Sequence, residues 1–181
     1  MFGLFGKKSK KITIADKIWI SEHAKFNACV ELIRSNPNVV FVAWFEMTKQ
    51  SLQTYLQENH FQERVYLADH LNVNQKGKEL IFIEHHPLQL EEQKKAVELD
   101  LSDITVYSSL SEPFFELFNG EKIINLMRKM GVEEFEMLEN SMITNSIKKA
   151  QKKIASKVIL NIPARSQRDW LINAGINNKS F

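Results

Sequence analysis

VVFVAWF, residues 39–45, decides the fold. An unbroken apolar run this short, rich in β-branched and aromatic residues, reads as a strand buried on both faces. Such a strand needs cover above and below, and the flanking sequence supplies it. Upstream, Asn36-Pro37-Asn38 ends the preceding segment, because proline lacks an N–H and biases its predecessor away from helix. That segment, SEHAKFNACVELIR (21–34), places Phe26, Cys29, Val30 and Ile33 on one helical face. Before it, ITIADKIWI (12–20) is a short apolar stretch. Downstream, Thr48 can cap a helix that carries Leu52, Tyr55 and Leu56.

RVYLA (64–68), ELIFIE (79–84) and DITVYSS (103–109) read as three more buried strands, with a polar turn at 72–77 and the helical PLQLEEQKKAVELD (87–100) between them. Strands alternating with helices predict an α/β fold: a small, mostly parallel sheet of about four strands with helices on its faces. After residue 111 only helical patterns remain. These are EPFFELF (112–118), EKIINLMRKM (121–130) closed by Gly131, a longer helix over about 133–158, and RDWLINA (168–174). The expected organisation is a flexible basic arm (1–11), an α/β lobe (12–110) and an α-helical C-terminal extension (111–181) packed on that lobe.

Composition narrows the function classes. The 181 residues carry a formal charge of only +2, which gives no ground for a nucleic-acid partner. The single cysteine, Cys29, excludes an intramolecular disulfide framework and fits a reducing compartment; its place on the apolar helix face favours an inert core thiol. No apolar run approaches the length of a membrane span, and the basic run of MFGLFGKKSKK follows its apolar residues, the reverse of a secretory signal. Cytoplasmic is the expected location. Met1, Phe2, Leu4 and Phe5, followed by Lys7, Lys8, Lys10 and Lys11, suggest weak contact of the arm with anionic membrane.

Three segments, in order, resemble the second RecA-like motor lobe of the SecA preprotein-translocase ATPase family. DKIWISEHAKFNACVELI (16–33) with VVFVAWFEMTKQSLQTYL (39–56) is similar to that family's Asp-aliphatic-aromatic turn, Lys-Phe helix, buried strand and following helix. ELIFIEHH (79–86) is similar to its strand ending in Glu-Arg-His. VYSSLSEPFFELFNGEKIINLMRKMGV (106–132), then ENSMITNSIKKAQKKIASKV (139–158), resembles its Ser-Leu-Glu-Asp and Leu-Phe-Gly stretch and the opening of its long scaffold helix. The resemblance spans roughly residues 16–158 and implies a RecA-like lobe with a helical continuation, degenerate and truncated relative to the motor.

The departures from the family pattern bear on chemistry. No G-x-x-x-x-G-K-[ST] phosphate loop occurs, the Gly-Arg-Gly-Thr-Asp stretch is missing, and no arginine lies between Arg64 and Arg128. Lysine does not replace a bidentate arginine at phosphate. The expectation is a non-catalytic SecA-like interaction or accessory module related to preprotein targeting, with no ATPase activity and no cofactor. Its alternative is a nucleotide-binding subunit that completes an ATPase site with another chain.

Candidate partner-binding residues come from two places. The loops after the strands supply Glu46, Met47, Asp69, His70, His85 and His86, on the face that a second lobe covers in a two-lobe motor. The helix near 141–158 supplies Lys148, Lys149, Lys152 and Lys153 opposite its apolar stripe. That basic face reads either as an ordinary solvated surface or as a docking surface for an acidic partner or anionic lipid. Glu84-His85-His86 alone does not make a metal site, because no further Cys or His recurs at ligand spacing. Trp44 and Phe45 read as core packing.

Overall fold

The computed structural model describes residues 12–71, 77–139 and 141–176. The arm assigned to membrane contact, residues 1–11, lies outside them. Among the described residues, five strands, β1 (Thr13–Trp19), β2 (Val39–Ala43), β3 (Val65–Leu67), β4 (Glu79–Phe82) and β5 (Asp103–Ser109), form one sheet in the order β1-β5-β4-β2-β3. Every pairing is parallel. The α/β class and parallel sheet are as expected, with one strand more. ITIADKIWI supplies it, and Asp16 and Lys17 had interrupted its apolar pattern.

Helices α1 (Glu22–Ser35) and α2 (Glu46–Glu58) cover one face, and α3 (Gln89–Glu98) lies against the other. The period of two divides β2 between these layers. Val39, Phe41 and Ala43 join Cys29, Val30 and Leu52 on one side, whereas Val42 joins Phe82 and Ala96 on the other. Cys29 is fully buried, and burial pushes its thiol up to about 12, so it is an unreactive core residue.

Helices α4 (Pro113–Glu116), α5 (Gly120–Lys129), α6 (Ser141–Ala155) and α7 (Gln167–Asn173) build a third apolar cluster. Phe114, Ile147, Ile154 and Trp170 meet Ile20, Phe45 and Leu110 there. Ile20, Phe45 and Leu110 sit just past β1, β2 and β5, so this cluster lies at the carboxyl ends of the strands. The helix expected over 133–158 begins only at Ser141. Before it, Leu138 pairs with Ile18 in an isolated antiparallel bridge, with N···O distances of 2.7 and 3.0 Å. β1 is an edge strand, and this bridge satisfies backbone groups that the sheet leaves open. Gly131 does follow α5 with φ of 88°, the left-handed geometry expected of it.

Candidate functional site

The most ordered polar arrangement lies where β2, β4 and β5 end. Lys25 on α1 is fully buried; its Nζ donates to Glu112 Oε1 at 2.7 Å and to the Ile83 carbonyl at 2.9 Å. Glu112 also accepts from the Ser109 N–H at 2.7 Å, which ties the end of β5 to the start of α4. Its second oxygen, Oε2, is buried with no hydrogen-bond partner among the described residues. Burial would lower the Lys25 pKa, but Glu112, Glu22 and Glu84 more than offset it, and the net direction is up.

Glu84 follows β4 and caps the start of α2. Its Oε1 accepts from the Trp44 and Phe45 N–H groups at 3.1 Å each, and its Oε2 lies 2.8 Å from Thr48 Oγ1. The N-cap residue of α2 is Phe45, which has no capping side chain, so Glu84 does from the loop after β4 what Thr48 was expected to do locally. Burial, reinforced by Glu112, raises the Glu84 carboxyl to about 8. Lys25, Glu84, Ser109 and Glu112 line a cavity of about 320 Å³ with Thr48, Gln167 and others.

A second network lies beside it. His85 is 1% exposed and bridges two carboxylates, with Nδ1 2.8 Å from Glu92 Oε1 on α3 and Nε2 3.1 Å from Asp16 Oδ1 on β1. The Asp16 contact is an ion pair not aligned as a hydrogen bond. Burial disfavours imidazolium, yet Glu92 and Asp16 outweigh it and push His85 up to about 10. Burial would likewise raise Asp16, but His85, with Thr144 and Lys148, more than compensates, leaving it lowered. Neighbouring His86 is the opposite case: burial lowers it. Its Nδ1 accepts from the Leu88 N–H at 3.0 Å, and its ring packs against Phe45, Trp44 and Trp170.

The C-terminal segment closes over these strand ends. Gln151 Nε2 on α6 donates to the His86 carbonyl at 2.9 Å and to Glu92 Oε2 at 3.0 Å. Gln167 Nε2 at the start of α7 donates to the His85 carbonyl at 3.0 Å, while its Oε1 accepts from the Phe114 N–H at 2.7 Å. The Met47 N–H donates to the Arg165 carbonyl at 2.9 Å.

This geometry corrects the placement of two sequence candidates. His85 and His86 are buried, held by the ion pairs and aromatic contacts above; His85 presents no surface to a partner, and His86 only the small part that lines a recess. The remaining loop residues do not form one patch. Met47 is 52% exposed beside the Glu84–Glu112 cavity, and Glu46 is half-buried at the start of α2. Asp69 and His70 are exposed in a single 3-10 turn, where Asp69 borders a recess of about 150 Å³ with His86 and Trp170. Lys148, Lys149, Lys152 and Lys153 all lie on the exposed side of α6.

Lys25, Glu112, Gln151 and Gln167 went unnoticed as site residues in the sequence. Lys25 and Glu112 did lie inside family-like segments, in Lys25-Phe26 and Ser109-Leu110-Ser111-Glu112. Phe45 is core, as expected; Trp44 is half-buried and stacks on Phe82 at a centroid distance of 5.4 Å. Among the described residues, no group of three or more His, Cys, Asp or Glu could hold a metal ion, and no helix is long and apolar enough to cross a membrane.

No protein-family profile matches the chain. Local similarity to known proteins is nonetheless clear. The chain is 40% identical over 58 residues to the protein translocase subunit SecA of Sulfurovum sp.. It is 42% identical over 55 residues to SecA of Chlorobium phaeobacteroides and 48% over 48 residues to SecA of Christiangramia forsetii. These matches cover 26–32% of this chain but only 4–7% of the relatives' own length. The chain thus contains a segment related to a small part of SecA.

Proposed function

We propose that the chain is a non-catalytic, SecA-like interaction module acting in preprotein targeting, built on a degenerate form of the second RecA-like motor lobe. One observation carries this reading: the carboxyl ends of the parallel strands, where an open α/β sheet ordinarily receives its ligand, are covered by the chain's own C-terminal segment. Gln167 and Gln151 bond the His85 and His86 carbonyls, and Trp170 packs on His86. The cavity that remains is ill suited to phosphate. Glu22, Glu84, Glu112 and Asp169 line it against Lys25 and Arg168, and Arg168 already contacts Glu116 at 2.8 Å. The relation to translocation rests on the local SecA similarity.

Two measurements test this. Equilibrium dialysis of labelled ATP and ADP with Mg²⁺, beside a phosphate-release assay, is expected to give neither binding nor turnover. Submillimolar nucleotide affinity would favour the alternative, a subunit that completes an ATPase site with another chain. Affinity purification of the tagged chain from its native host is expected to enrich translocation components; consistent enrichment of unrelated proteins instead would sink the targeting role.

A further inference from the structure

A groove of about 840 Å³ runs between α3 and α6, away from the strand-end cavity. Lys148, Lys149 and Lys152 line it from α6 and Lys94 from α3; among the described residues the only acidic one in the lining is Glu91, which contacts Lys94 at 2.8 Å. Among the described residues, Lys148, Lys149 and Lys152 sit in no ion pair. Apolar groups share the groove: Leu90 is 56% exposed and Ile159 is 94% exposed. Large aliphatic side chains left in water beside a concave basic surface are the pattern of a binding site.

We propose that this groove docks an acidic, amphipathic helical segment of a partner protein. The apolar side chains of that segment seat on Leu90 and Ile159, and its carboxylates meet the lysines. This deepens the reading of the chain as an interaction module, but at a surface separate from the one that bears on nucleotide. Three features select the occupant. Lys148 and Lys152 share one face of α6 while Lys149 points about 100° away from Lys148, and Lys94 faces them from α3, so the positive charge is spread along the groove rather than gathered at one point. The surface is concave, whereas a helix that lies on a bilayer presents its apolar face to a broad plane. Among the described residues the lining holds no aromatic residue and no arginine, the groups that stack bases and fork to phosphates. Charge complementarity with an apolar seam is what helix-in-groove recognition requires.

The probe is a fluorescein-labelled peptide of roughly four helical turns, with Leu and Phe on one face and Glu elsewhere. Its comparison peptide has Gln for every Glu. The full chain is expected to bind the acidic peptide at low salt and the Gln peptide at least about tenfold more weakly. Lys148→Glu with Lys152→Glu, and separately Leu90→Asn with Ile159→Asn, are each expected to weaken binding by roughly tenfold or more. Lys148 lies near buried Asp16, so Lys149→Glu with Lys152→Glu serves as the charge variant if circular dichroism shows that the first pair is unfolded. Acidic-peptide affinity unmoved by a folded charge variant, or equal to that of the Gln peptide, overturns the proposal. So does tighter binding to phosphatidylcholine–phosphatidylserine vesicles or to a single-stranded RNA oligonucleotide that the same lysine variants abolish. Absence of ATP binding leaves this test unaffected, and ATP binding does not rescue it.

Discussion

Lys25 Nζ lies 2.7 Å from Glu112 Oε1, with the lysine side chain fully buried and the glutamate 6% exposed. Neither charge can be lost alone without leaving the other in a low-dielectric interior. Lys25→Met leaves Glu112 beside Glu84, whereas Glu112→Leu leaves an ammonium whose other partner is a single carbonyl. Each single change is expected to cost about 3–5 kcal/mol in urea unfolding. The double change Lys25→Met with Glu112→Leu is expected to cost clearly less than the sum. Additive costs would mean that the two residues do not act as a pair.

Glu84 gives stability a specific pH dependence. Its carboxyl rises from 4.5 to about 8 on folding, chiefly through burial and then through Glu112. A raised carboxyl contributes fully below the unfolded value, and that contribution is lost as pH climbs through the folded one. Glu84→Gln mimics the protonated side chain, keeping an acceptor for Trp44 and Phe45 and a donor for Thr48. The unfolding midpoint of Glu84→Gln, relative to the unmodified protein, is expected to rise as pH increases from 4.5 to 8 and then level off. A flat difference across that range would show that Glu84 stays ionised.

His85 is expected to remain imidazolium well above neutrality, since Glu92 and Asp16 flank both ring nitrogens and hold it near 10. Nitrogen-15 shifts of the ring at pH near 8 are expected to show two protonated nitrogens for His85 and a neutral ring for His86. Its contribution to stability is present in full below 6.5 and lost as pH rises through about 10. A neutral His85 at pH near 8 would overturn the assignment.

The sheet was legible because β2 is apolar and buried on both faces, and β4 and β5 carry short runs of β-branched and aromatic residues. β1 was harder to read: Asp16 is buried in a strand only because His85 arrives from β4, a long-range pairing that no local pattern encodes. The start of α6 was misread for the same reason, as Leu138 is drawn into its bridge with Ile18 by the open edge of β1. At the site, Glu84, His85 and His86 stood out by composition, but their burial depends on Gln151 and Gln167, which lie more than fifty positions away. A lone glutamine in a polar helix carries no signal of its own. The strand pattern alone therefore leaves His85 and His86 on an open strand-end face, and the C-terminal cover is what buries them.

That cover supplies the last prediction. Gln167 is 3% exposed and satisfies two backbone groups from different elements, the His85 carbonyl and the Phe114 N–H. Gln167→Ala removes both partners at once and leaves two buried polar groups unpaired, at about 1–3 kcal/mol each before water re-enters. Water has an entry route, because Gln167 borders the cavity that also holds Ser109 and Glu112. The loss is thus expected to be local: faster amide exchange at Phe114, with the amides inside β2 and β4 little changed. Gln167→Glu separates hydrogen bonding from shape, since a carboxylate still accepts from Phe114 but cannot donate to His85. It is expected to restore protection at Phe114 while keeping most of the stability loss. Unchanged exchange at Phe114 in Gln167→Ala would mean that α7 does not fasten the cover, and that apolar packing of Trp170 and Leu171 holds it alone.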